Sequence, residues 1–134
     1  LVCETSKLPR TNRIMYLVTT NAAHDLLILT FLERVVPEEL KTCRREVTEI
    51  LAGLQPGFRL LTDLSHLEAM DFSCANDIRA IMDQIHSRGV SRIVRVIPNR
   101  RKDIGFTTMS YFHYGPDIGI VTVETLAEGL GSLA

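Results

Sequence analysis

The sequence predicts an α/β domain built on a five-stranded mixed sheet, with helices mainly on one face and the order β-β-α-β-α-β-α-β-α. Two alternating apolar runs, residues 14–20 and 26–32, stand on either side of a polar turn and read as a hairpin, so their strands are antiparallel. Beyond them, strand-length apolar runs alternate with amphipathic stretches, which demands parallel neighbours joined by right-handed crossovers. Pro and Gly mark the joints, as in Gln55-Pro56-Gly57 and at Gly89.

Each later element has its own justification. Pro37 fits a first helical turn, Glu38 and Glu39 lie beside the positive helix end, and Leu40, Cys43, Val47, Ile50, Leu51 and Leu54 recur at helical spacing. Residues 58–64 are largely apolar and form the third strand, which Asp63 is expected to end. Residues 73–88 carry the stripe Ala75, Ile78, Ile81, Met82 and Ile85, closed by Gly89 at the left-handed position favoured past a helix end. Residues 90–97 are the fourth strand, 103–113 a helical pattern and 118–123 the fifth strand. A short last helix over residues 125–131 is expected to pack Leu126 and Leu130 against the sheet edge.

With 134 residues the chain reads as one domain, residues 13–134, preceded by a loose arm over residues 1–12. Fifteen Lys and Arg against sixteen Asp and Glu leave no broad basic field, which argues against nucleic acid as the partner. No apolar stretch approaches a membrane span, and residues 1–12 lack the apolar core of a secretory leader. The odd set Cys3, Cys43 and Cys74 lacks a C-x-x-C pair, so a reducing cytoplasm is the expected setting.

The most specific stretch is D-L-S-x-h-x-x-h-D-x-S from Asp63 through Ser65 and Asp71 to Ser73 (h, apolar). Asp63 is expected at a strand's carboxyl end, where open α/β sheets place their functional loops. Asp71 and Ser73 are expected at a helix start, where a side-chain oxygen caps free N–H groups. This pattern resembles the signature of the STAS family, the domains of anti-sigma factor antagonists and sulfate transporter tails. The resemblance implies the predicted fold, and it aligns Ser73 with the serine that a partner kinase phosphorylates in an Asp-Ser-Ser-Gly run. Phe72 stands here for the first Ser of that run and Cys74 for its Gly. The segments Arg95-Val96-Ile97-Pro98 and Lys102-Asp103-Ile104-Gly105-Phe106 are similar to those of a bacterial SpoIIAA-like subgroup related to both STAS and the lipid-binding SEC14 fold.

Each candidate has a plainer role beside its functional one. Ser73 at a helix mouth would tolerate an added phosphate, or it and Asp71 are simply caps. Phe72 would be an apolar contact. Cys74 would be a thiol activated at a helix start, or a small packed core residue. Asp63 would accept hydrogen bonds that fix Ser65 and His66. Arg100, Arg101 and Lys102 would hold an anion at the mouth of the helix after Asp103, or form a solvated loop. The four histidines show no metal-ligand spacing, and no P-loop, dinucleotide-binding or hydrolase motif occurs, so neither metal, cofactor nor catalysis is expected.

The expectation is a non-enzymatic bacterial regulatory module that contacts a partner, such as an anti-sigma-type kinase, through Asp63, Ser65, Asp71, Phe72, Ser73 and Cys74. The alternative is a SEC14-like binder of a lipid-like or anionic ligand, its head on Arg100 to Lys102. A third option is a homodimer formed through an uncovered sheet face.

Overall fold

The computed structural model describes residues 15–21, 23, 25–98 and 118–133. The hairpin strands are β1 (Tyr16–Thr20) and β2 (Leu26–Val35), followed by helix α1 (Pro37–Leu51) and strand β3 (Arg59–Met70). A single 3-10 turn (Phe72–Cys74) leads into α2 (Ala75–Ser87), and β4 (Arg92–Val96), β5 (Gly119–Val123) and α3 (Leu126–Leu133) complete the described elements. The arm expected over residues 1–12 and the helix expected over 103–113 lie outside the described residues.

The sheet is five-stranded, in the order β1-β2-β3-β4-β5. β1 runs antiparallel to β2 with Tyr16 opposite Phe31, and every other pair is parallel. This is the mixed sheet that the sequence predicts. Crossovers of one hand that step strand by strand in one direction put their helices on one face. Accordingly α1 and α2 share a face and bury the main core against it, with Leu40, Val47, Ile78 and Ile81 packed on Leu29, Phe31 and Leu60.

α3 follows the last strand and is no crossover, so that rule does not bind it. It covers the opposite face, where Leu133 joins Leu26, Leu61, Val94 and Val96 in a smaller core. Leu126 and Leu130, expected to pack inward, are 41% and 46% exposed, and Gly129 and Leu133 face the sheet instead. The reason is a close approach: a Cβ on Gly129 would stand 3.1 Å from Val96 Cγ2 and 3.2 Å from Leu61 Cδ1.

The joints follow local chemistry. Pro37 occupies the first turn of α1, and Glu39 reaches back to accept the Val36 N–H at 3.4 Å and the Met15 N–H at 2.9 Å. Gly89, with φ +94°, turns the chain out of α2. Asn21 accepts the N–H groups of Asp25 and Leu26 through its side chain and so closes the hairpin.

One element departs clearly from expectation. β3 does not end at Asp63 but continues to Met70, paired with β2 along its whole length. Its pairing with β4 stops where Asp63 meets Val96, so among the described residues the last part of β3 runs on beside β2 alone. Two register shifts accompany this extension, one between Thr30 and Leu32 and one between Glu33 and Arg34. Each adds one residue to β3, so Leu64, Leu67 and Met70 all reach the main core at a spacing of three. Glu33, at the second shift, adopts a left-handed φ of +46° and turns its side chain to solvent although Phe31 and Val35 beside it are buried.

Candidate functional site

The extended β2–β3 pair carries the chain past the sheet rim and delivers the turn at Asp71. The Asp71 N–H reaches the Val35 carbonyl at 3.5 Å, and Cys74 donates from its N–H to the Asp71 carbonyl at 2.9 Å. Asp71 Oδ1 accepts both the backbone N–H and the hydroxyl of Ser73, each at 2.9 Å. The cap is therefore Asp71, closing a 3-10 turn that feeds α2. The Ser73 N–H first, then its hydroxyl, and more weakly the charge of Arg34, hold the Asp71 carboxyl below its ordinary range.

Asp71, Phe72 and Ser73 are all exposed, and Phe72 is 78% exposed, the most open of the large apolar side chains among the described residues. A rim turn thus offers an aromatic ring, a carboxylate and a hydroxyl side by side. That combination suits contact with a protein surface.

Cys74 does not belong to the contact set. Its side chain is fully buried in the main core, and its thiol lies 3.6 Å from the Val35 carbonyl, which it faces as donor. Burial first, then the charge of Asp71, push that thiol up to about 11, so of the two roles read from the sequence the small packed core residue fits and the activated thiol does not. Asp63 is likewise buried and unavailable to a visitor. Its carboxylate accepts the Ser65 N–H at 3.0 Å and the Ser65 hydroxyl at 2.6 Å, across the first register shift. Ser65 is half-buried and tied to Asp63, while His66 turns outward. Asp63 and Ser65 therefore shape the strand that delivers the turn, one bulge upstream of it. Arg100, Arg101 and Lys102 lie outside the described residues.

The sequence did not single out Arg34, nor the link of Asp77 to Arg44. Arg34 is placed near Asp71 by β-sheet register, across a bulge that no local motif announces. Asp77 is a buried acid in the first turn of α2, joined to Arg44 on α1 at 3.0 Å. A charged residue on an otherwise apolar helix stripe, with Arg one helix earlier, is the signal that marks it.

No family model and no curated protein matches the chain. Solved structures do match. A protein of the DUF3478 family from Shewanella loihica PV-4, with a SpoIIAA-like fold, is 15% identical with a TM-score of 0.67, covering 95% of this chain and all of that one. The chain has a SpoIIAA-like fold. The Bacillus cell fate determinant SpoIIAA in its phosphorylated form is 11% identical, with a TM-score of 0.57 and coverage of 89% and 99%. A chain in the structure of the diguanylate cyclase SiaD in complex with its activator SiaC from Pseudomonas aeruginosa matches at 13% identity and a TM-score of 0.59, with coverage of 85% of this chain and 95% of that chain. Among the described residues, no helix of this SpoIIAA-like domain is long and apolar enough to cross a membrane.

Proposed function

We propose that the domain is a regulatory protein-interaction module that docks a partner through the Asp71-Phe72-Ser73 turn, with phosphorylation of Ser73 as the switch. The observation that carries this reading is the exposure of the Ser73 hydroxyl directly beside the open Phe72 ring. Phe72 supplies the apolar anchor and Ser73 the control. In the unmodified state the Ser73 hydroxyl donates to Asp71. A phosphoryl group on that oxygen removes the donor and sets roughly two negative charges against a carboxylate at hydrogen-bond range. It also surrounds the ring with a charge that any partner must desolvate, so docking weakens while the fold stays in place. The neighbours support this reading by the company they keep: one structure is of a phosphorylated SpoIIAA and another is of SiaC with the enzyme it activates.

Intact mass and peptide mapping of the protein purified from its native host test the switch directly. The expected result is a fraction of molecules heavier by one phosphoryl group, located at Ser73. Partner proteins co-purified with the wild type are then titrated against Ser73→Ala, Ser73→Asp and Phe72→Ala. Retained binding by Ser73→Ala with loss in the other two is expected, and equal binding by all three variants would remove the turn from the interface.

A further inference from the structure

We propose a second contact surface, independent of the Ser73 turn: the outer seam between α1 and α2 is a docking groove for an acidic peptide segment of another protein. The two helices pack side by side in the same direction, shown by cross-links at nearly constant sequence offset. Arg44 meets Asp77 at 3.0 Å, Gln84 Nε2 donates to Thr48 Oγ1 at 2.8 Å, and Arg88 donates to the Leu51 carbonyl at 2.9 Å. Two clefts open along this seam and share Thr48 and Gln84 as their common floor.

Among the described residues, every charged side chain that lines the two clefts is a cation. Lys41, Arg44 and Arg45 line the cleft at one end and Arg88 the cleft at the other. Asp77 on α2 is buried and engaged by Arg44 and, at 3.9 Å, by Lys41. Among the described residues, Arg45 makes a single hydrogen bond, 3.4 Å to the Thr42 hydroxyl beside it. Four cations therefore line the clefts of a chain whose net charge is −1.

Length and lining select the occupant. From Lys41 to Leu51 α1 rises about 15 Å, longer than any single phosphate or carboxylate, so a ligand with several anionic groups on one scaffold is required. An extended peptide of about five residues spans that distance. Among the described residues the clefts are lined by Lys, Arg, Thr, Gln, Ser, Ala and Leu, with no aromatic side chain on which nucleobases would stack. A concave seam between two helices also fits one chain better than a flat bilayer surface. An acidic peptide meets all three conditions.

Fluorescence anisotropy at low ionic strength tests the groove with a labelled peptide alternating Glu with Gly and Ser. The probes for comparison are a peptide with Lys at the Glu positions, an oligothymidylate and phosphatidylserine vesicles. Saturable binding of the Glu peptide, at least about tenfold weaker in Arg45→Glu and with a reduced salt dependence, is the expected result. Arg45→Glu leaves the Arg44–Asp77 link intact, and thermal melting verifies that the variant is folded. Ser73→Asp should bind the peptide as the wild type does, which separates this groove from the turn. Absence of saturable binding, unchanged affinity in Arg45→Glu, or equal or tighter Arg45-dependent binding of the oligothymidylate or vesicles overturns the proposal.

Discussion

The carboxylate of Asp77 on α2 is buried against the Arg44 guanidinium of α1 at 3.0 Å, but the two partners are unequally exposed, 10% for the Asp77 side chain and 44% for that of Arg44. That asymmetry decides what each loss costs. Without its partner Arg44 would rehydrate, whereas Asp77 would stay in the helix seam with Lys41 as a distant substitute.

Arg44→Met is therefore expected to destabilise the domain by about 1–3 kcal/mol, and Asp77→Asn by less. Urea unfolding of both single variants and the double variant measures the difference and the coupling between them. Equal losses in the two single variants would mean that the carboxylate finds water in the seam after all.

Gly129 and Gly131 lie in the same short helix and should respond in opposite ways. A Cβ at Gly129 would meet Val96 and Leu61 inside ordinary van der Waals contact, at 3.1 and 3.2 Å, while nothing stands within 4 Å of a Cβ at Gly131. Gly129→Val is expected to lose about 1–3 kcal/mol by forcing α3 off the sheet. Gly131→Ala is expected to gain up to about 1 kcal/mol, because it restricts the unfolded chain and favours the helix. Thermal unfolding of the two variants checks the contrast.

The same helix shows where sequence reading reached its limit. Its existence and position were legible from Thr125 onward, but its orientation was not. Leu126 and Leu130 looked like the buried face by hydrophobicity, whereas the inward face is set by Gly129, whose value is the absence of a side chain. β3 failed in a related way. The continuous apolar run of residues 58–64 was read as the whole strand, whereas Leu64, Leu67 and Met70 recur every three residues, a spacing foreign to a regular strand. Two bulges supply the missing residues and keep all three in the core. The parts that period and punctuation control were readable: the hairpin, α1 with Pro37, and α2 with Gly89. At the rim turn, the cap at Asp71 and a packed Cys74 were readable from residue type, while the burial of Asp63 depends on strands distant in sequence.

Asp71→Ala should loosen the turn without unfolding the domain. The carboxylate receives the Ser73 N–H and hydroxyl, and both would turn to water. Amide exchange at Ser73 is expected to accelerate, with exchange in the core of α2, at Ile81 and Ile85, unchanged. Asp71→Asn keeps an acceptor oxygen and should restore most of the protection. Hydrogen exchange read by NMR distinguishes this local effect from a global one, since acceleration at Ile81 would show that the turn anchors the whole helix.

The buried thiols give the domain an alkaline weakness. Burial raises Cys43 to about 12 and Cys74 to about 11 from an ordinary 9.0, since the core disfavours the thiolate. In the unfolded chain both would ionise near 9. Below that pH the two states hold the same thiol protons and the contribution is fully present. Above it the unfolded state loses protons that the folded state keeps, so stability falls as pH rises towards 11 and 12, by up to about 1.4 kcal/mol per pH unit for each thiol. Tyr16, also raised by burial, adds to the decline above its ordinary value of 10.0. Urea titrations between pH 8 and 10 should show this slope in the wild type and a shallower one in Cys43→Ala/Cys74→Ala, even though that variant starts from lower stability. Parallel slopes would mean that the thiols ionise alike in both states, and in a Cys3→Ser background rapid labelling of the native protein by a thiol reagent at pH 8 would show directly that Cys43 or Cys74 is open to solvent.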